Sequence, residues 1–182
     1  MKTESTVMYV LRLALTLLAI TAVVAAALAG VNSITAPAIA QLTAQKTQDA
    51  IELVLPGGGD EMDCFPETAL VSKVYASETG YAVEVTPGGF DNTITMMVGV
   101  DKAGTVLGIS IIKHTETAGL GAVAAAGTPA GEAFRNEFVG ESGSVSVSKD
   151  GGSVEAITGA TITSRAVCAG VNAAMECVAK MG

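Results

Sequence analysis

Residues 69–113 read ALVSKVYASETGYAVEVTPGGFDNTITMMVGVDKAGTVLGISIIK. Four strand-like runs stand out in this stretch: Ala69–Ala76, Tyr81–Thr86, Thr93–Val100 and Val106–Lys113. They are rich in β-branched residues and separated by turn residues at Thr79-Gly80, Pro87-Gly88-Gly89 and Asp101-Lys102-Ala103-Gly104. The last of these turns is tight enough for a hairpin, and together the runs predict an antiparallel sheet. Downstream, Glu132–Phe138 is expected to form a short helix, with Phe134 and Phe138 one turn apart. A Ser/Val alternation at Ser144–Ser148 and the turn Asp150-Gly151-Gly152 follow. A final helix is expected from Thr163 or Ser164, because apolar residues recur at Val167, Val171, Ala174, Val178 and Met181, one face that a sheet can cover. Strands followed by flanking helices give an α+β domain.

Upstream, Leu13–Val31 reads LALTLLAITAVVAAALAGV, nineteen residues without a charge. A helix of that length rises about 28 Å, close to the hydrocarbon thickness of a bilayer. The expected organisation is a cytoplasmic N-terminus (1–12), a transmembrane helix (13–31), a connecting helix and Gly-rich linker (32–60), and an extracytoplasmic domain (61–182). The connecting helix is read over Ala36–Leu55, with a kink at Pro37 and a stop at Pro56-Gly57-Gly58-Gly59. Lys2 and Arg12 against Glu4 leave +1 before the span, so the rest of the net −8 is −9. The positive-inside rule then keeps the N-terminus in the cytoplasm and sends the domain outward. A cleavable signal ending at Ala27-Leu28-Ala29 is the rival reading, and it exports the same domain.

With 49% hydrophobic residues and 15% charged, the chain lies far from the composition of disordered proteins. Its acidic balance, 18 carboxylates against 10 Lys and Arg, lacks the basic stripe that nucleic acid requires. Cys64, Cys168 and Cys177 have no metal-ligand spacing, and the single His114 lies far from them, so no metal site is expected. Three small buried thiols are the favoured reading. A disulfide would have to use Cys64, because Cys168 and Cys177 lie about 13 Å apart along one helix.

Two segments carry the chemistry. Thr158-Gly159-Ala160-Thr161-Ile162-Thr163-Ser164-Arg165 joins small residues, four hydroxyls and a cation immediately before the last helix. Free amides and the positive end of the helix dipole suit a phosphate there, and Gly159 and Ala160 leave it room. Neither a Walker lysine nor a GxGxxG is present, so ordinary ATP or NAD binding is disfavoured. A Thr/Ser-rich helix cap holding no ligand fits the same residues. The second segment is His114-Thr115-Glu116-Thr117-Ala118-Gly119-Leu120-Gly121, at the end of the fourth strand. Its glycines permit an exposed turn, from which Glu116 and Thr117 face a planar polar ligand. Acid–base catalysis by His114 and Glu116 is disfavoured for want of a nucleophile or a second placed carboxylate. The plain alternative is a solvated loop with Leu120 as its packing anchor.

Together, an N-terminal membrane helix, an HxETPGLG-like loop and a D-x-x-[ST]-G-A-T-x-T-S-like motif resemble the FMN-binding family of small flavoprotein subunits of ion-pumping redox complexes. The likeness is closest to the G subunits of Rnf electron-transport complexes, and more distant to the C subunits of sodium-translocating NADH:quinone reductases. It covers the whole chain. It implies covalent FMN, joined as a phosphoester to Thr161 by a flavin transferase. It also implies flavin contacts from Glu116, Thr117, Gly119, Leu120 and Gly121, with Thr158, Gly159, Ala160, Thr163 and Ser164 around the phosphate. Ala118 stands where the family has Pro, which loosens the loop, and Glu155 stands where it has Asp. The resemblance further implies an electron-carrying subunit, without catalytic residues of its own, in a complex coupling ferredoxin and NAD(+) oxidoreduction to Na(+) or H(+) translocation. Its partners would be membrane and iron–sulfur subunits and the surrounding lipid. The alternatives are an anchored FMN domain serving another reductase or a sensor, and a scaffold that is not redox-active.

Overall fold

The computed structural model describes residues 6–181, with side-chain environments from Met8 onward; Lys2 and Glu4, which enter the charge asymmetry, lie outside the described residues. The chain divides into two units, 1–44 and 45–182. Helix α1 (Thr6–Val54) runs unbroken through Pro37 and is, among the described residues, the one helix long and apolar enough to cross a membrane. In the first unit its hydroxyls turn back onto their own helix. Thr16 donates to the Leu13 carbonyl at 2.8 Å and Thr21 to that of Leu17 at 3.0 Å. Such back-bonding satisfies the hydroxyls of Thr16 and Thr21, the two polar side chains of residues 13–31, within the helix itself.

The second unit is built on a five-stranded antiparallel meander in the order β1 (Asp60–Glu61), β2 (Val71–Ala76), β3 (Gly80–Val85), β4 (Thr95–Asp101) and β5 (Val106–Lys113). The four expected strands are present, Val106–Lys113 with the expected bounds and the others with ends displaced by one or two residues. Only the two-residue β1 was not anticipated; it pairs Asp60 with Ala76 and Glu61 with Tyr75. The β4–β5 turn is held by Asp101, whose carboxylate accepts from the amides of Ala103 and Thr105, each at 2.8 Å. A 3-10 turn (Gly121–Ala125), helix α2 (Pro129–Asn136), a second 3-10 turn (Ser148–Asp150) and helix α3 (Thr161–Met181) complete the unit. The α2 helix starts three residues before the expected position, because Thr128 caps it by accepting from Gly131 N–H and Pro129 begins it without needing an amide partner.

One face of the sheet (Val74, Val83, Val85, Met96, Val98, Val100) packs on α3 through Val167, Val171, Ala174 and Val178, with Phe134 and Phe138 in edge-to-face contact beside it. The expected apolar face of the last helix is therefore the buried one. The opposite face is covered as well: Ala50, Ile51 and Val54 at the end of α1, with Leu55 just after it, bury Tyr75, Ala82 and Met97. That explains the nearly continuous burial along β4, since both faces of that strand are covered. At Gly99 a Cβ would collide with the Val54 carbonyl oxygen and the Val54 Cβ. Gly99→Ala is accordingly expected to destabilise the domain by about 3 kcal/mol, the upper end for overpacking, because backbone rather than a side chain must move. A shift in the chemical-denaturation midpoint measures this.

The expectation of three buried thiols holds for Cys168 and Cys177 and fails at Cys64, which is exposed in the irregular segment between β1 and β2. That segment contributes Met62 and Phe65, rather than Cys64, to the core edge.

Candidate functional site

The two motif segments meet. A cavity of about 280 Å³ is walled by Glu116, Thr117, Leu120 and Gly121 from the loop after β5, and by residues 159–163 at the start of α3. Phe90 from the β3–β4 loop and Lys149 from the second 3-10 turn close it. Its volume lies just below the usual range for small-molecule sites.

Glu116 organises this site. It is 7% exposed, its Oε1 accepts from the Phe90 amide at 2.9 Å, and its Oε2 accepts from the Thr163 hydroxyl. One carboxylate thus ties together the loop after β5, the β3–β4 loop and the first turn of α3. Behind it, Arg135 of α2 donates to the carbonyls of Ala124 and Ala126 at 2.7 and 3.0 Å, fixing the 3-10 turn into which the loop runs.

At the helix start, the first i to i−4 bond of α3 is Ser164 N–H to Ala160 O at 3.0 Å. The amides of Thr161, Ile162 and Thr163 precede it and are the helix's free donors. Gly159 has a positive φ of 77°, a conformation that admits few residues with a side chain. Ser164 is fully buried; its hydroxyl accepts from Ile157 N–H at 3.0 Å and donates to Ala160 O at 3.1 Å. It therefore shapes the loop from behind the cavity wall. Thr158 and Gly119 are exposed and also off the wall. The remaining motif residues (Glu116, Thr117, Leu120, Gly121, Gly159, Ala160, Thr161 and Thr163) converge on the cavity. His114 does not line it, so it is not paired with Glu116 for proton transfer there. Glu155 is exposed, its carboxylate accepting from Ser148 Oγ at 3.1 Å.

Leu120 is 42% exposed and so is no packing anchor; it stands at the cavity with Phe90 (65%) and Ile162 (50%). These three apolar side chains are left uncovered around one opening. Phe90 and Lys149 were not found from sequence. Phe90 follows a turn and belongs to no motif, and Lys149 sits in a polar turn twelve residues before Thr161. Lys149 Nζ donates to Thr161 Oγ1 at 3.2 Å. Its neighbour Asp150 takes a bidentate pair from Arg165 of α3, with both bonds at 2.7 Å. The Arg165 guanidinium holds the Asp150 carboxyl below the usual carboxylate range. Among the described residues no three His, Cys, Asp or Glu side chains converge to hold a metal.

Residues 89–176 match the family model of the FMN-binding domain. The chain is 32% identical to the G subunit of the Na(+)-translocating ferredoxin:NAD(+) oxidoreductase complex of Acetobacterium woodii, over 92% of this chain and 90% of that one. It is 33% identical to the G subunit of the proton-translocating ferredoxin:NAD(+) oxidoreductase complex of Clostridium ljungdahlii, over 82% and 80%. It is 32% identical to the G subunit of the ion-translocating oxidoreductase complex of Methanosarcina acetivorans, over 90% and 91%. An α+β domain with its two motif segments meeting at one cavity, and relatives matched over most of both lengths, establish that the chain belongs to the family of G subunits of ion-translocating oxidoreductase complexes, with an FMN-binding domain.

Proposed function

We propose that this chain is an electron-carrying flavoprotein subunit that holds FMN covalently, as a phosphoester on Thr161. It would serve a membrane complex that couples electron transfer between ferredoxin and NAD(+) to the translocation of Na(+) or H(+). The observation that carries this reading is the Thr161 hydroxyl standing at the wall of a partly apolar cavity, on the first turn of a 21-residue helix. The residues suit the group. The free amides of Thr161, Ile162 and Thr163 and the helix dipole favour a phosphate anion. Phe90, Leu120 and Ile162 offer apolar cover to a ring system, and Glu116 and Thr117 offer polar atoms at its edge. Bound FMN supplies redox chemistry, including single-electron transfer; the chain supplies placement and electrostatics. A covalent link suits a carrier outside the cytoplasm, where a dissociated FMN is not easily replaced.

The partners in this reading are the membrane and iron–sulfur subunits of the complex, bilayer lipid around residues 13–31, and a flavin transferase for maturation. The direct test is intact mass and peptide mapping after co-expression with a flavin transferase. FMN on the peptide bearing Thr161 supports the reading, and an unmodified chain overturns it.

The same reading places the domain on the extracytoplasmic side, which thiol labelling checks. Burial pushes the Cys168 thiol up to about 11 and raises that of Cys177 as well. Both side chains are buried, whereas Cys64 is exposed. A membrane-impermeant maleimide at about pH 7.5 is therefore expected to modify a single thiol, Cys64, on intact cells. Labelling only after lysis would put the domain on the cytoplasmic side.

A further inference from the structure

We infer that Lys149 is the dedicated counter-ion of the phosphoryl group on Thr161, and that the turn carrying it is built to present that one ammonium. The inference rests on the proposed attachment at Thr161 and adds a residue to it.

The turn is over-determined for a surface segment. Val147 is fully buried and bridges Val154 in parallel. Ser148 N–H donates to Val154 O at 2.7 Å, and Asp150 and Gly152 return their amides to Val147 O at 2.8 and 3.1 Å. Asp150 is clamped by the bidentate fork of Arg165, one helical turn beyond Thr161 on the same helix. The two pairs run side by side, Lys149 to Thr161 and Asp150 to Arg165, so the ion pair sets the position of the turn against the helix start. An exposed lysine is ordinarily free to sample solvent. This one instead donates to the hydroxyl oxygen of Thr161 at 3.2 Å, within a cavity wall that holds no other cation among the described residues.

The chemistry explains why a cation is needed there. Condensing Thr161 with free FMN would release water and runs uphill in water, so the donor must carry FMN as an anhydride, as a flavin dinucleotide does. Thr161 Oγ then forms the bond to phosphorus while the anhydride P–O bond breaks and a nucleoside monophosphate leaves. The hydroxyl proton goes to a base of the transferase or to solvent. Lys149 stands beside the one oxygen at which this bond forms. Its ammonium offsets the charge on the non-bridging oxygens during attachment and afterwards faces the singly charged diester. Helix amides supply only partial charges to the same group, so removing the ammonium removes the one full positive charge on the cavity wall.

The test uses the full-length chain in detergent with a flavin transferase and a flavin dinucleotide, following FMN addition by intact mass. Lys149→Ala is expected to slow attachment about ten- to hundredfold, the usual loss for a charge-assisted hydrogen bond. Lys149→Arg is expected to restore most of the rate. Thermal stability of Lys149→Ala should match wild type, because the side chain is exposed. In fully loaded protein, the phosphorus-31 resonance of the diester is expected to move between wild type and Lys149→Ala. Attachment to Lys149→Ala at the wild-type rate overturns the inference. So does slow attachment with an unmoved resonance, which would assign Lys149 to transferase docking instead. A wild-type chain that accepts no FMN overturns the reading of Thr161 itself, and so separates the two failures.

Discussion

Thr161→Ala is expected to take up no covalent FMN, falling from one per chain to none detectable by intact mass. The substitution removes the only atom through which the proposed ester forms, while Thr163 and Ser164 cannot replace it. Thr163 Oγ1 is committed to Glu116, and Ser164 is sealed behind the wall between Ile157 and Ala160. Both are buried, whereas Thr161 is half-buried at the opening. Thr161→Ser retains a hydroxyl at the same place and is expected to be modified, more slowly, because it lacks the methyl group that restricts the rotamer. Folding should be altered by no more than about 1 kcal/mol in either variant, since no core contact is lost. FMN on Thr161→Ala would assign the ester to another residue and remove the basis of the proposed function.

Glu116→Ala is expected to have the second largest effect, acting on both stability and flavin attachment. It leaves the buried Thr163 hydroxyl without its acceptor and the Phe90 amide unpaired. Leaving such groups unsatisfied costs about 2–4 kcal/mol. The β3–β4 loop then loses its tie to the helix start, and FMN attachment should drop with it. Glu116→Gln separates charge from connectivity. Its carbonyl can accept from Phe90 N–H while its amide donates to Thr163 Oγ1, so it should recover at least about half of the lost stability. Denaturant midpoints of the three proteins decide the matter. If Gln is as damaging as Ala, the side chain matters for its charge rather than as a bridge.

Much of the domain was legible because its cues are local. β-Branched runs and Gly/Pro punctuation located four strands, and the spacing of Val167, Val171, Ala174 and Val178 identified the buried face of α3. The missed elements have other causes. The strand β1 is two residues long and exists only through its pairing with β2, and the 3-10 turn at Gly121–Ala125 is fixed by Arg135, about ten residues further along the chain. Residues 45–55 read as part of a connector, yet Ala50, Ile51, Val54 and Leu55 cover a whole face of the sheet. The run Met96-Met97-Val98 is apolar on both sides, which signals two covered faces without identifying the second cover.

The site divides along the same line. The hydroxyl-rich helix start and the loop around Glu116 are contiguous motifs, so residue order alone identified them, together with Thr161 as the position that the family resemblance implies for the cofactor. What joins them is a carboxylate bonded to partners 26 and 47 residues away, at Phe90 and Thr163. Long-range pairing of that kind depends on how the sheet and α3 pack, and no local spacing encodes it. Phe90 and Lys149 follow the same logic: a phenyl ring after a turn and a lysine within one are unremarkable in sequence, and acquire a role only because folding sets both at one cavity beside one hydroxyl.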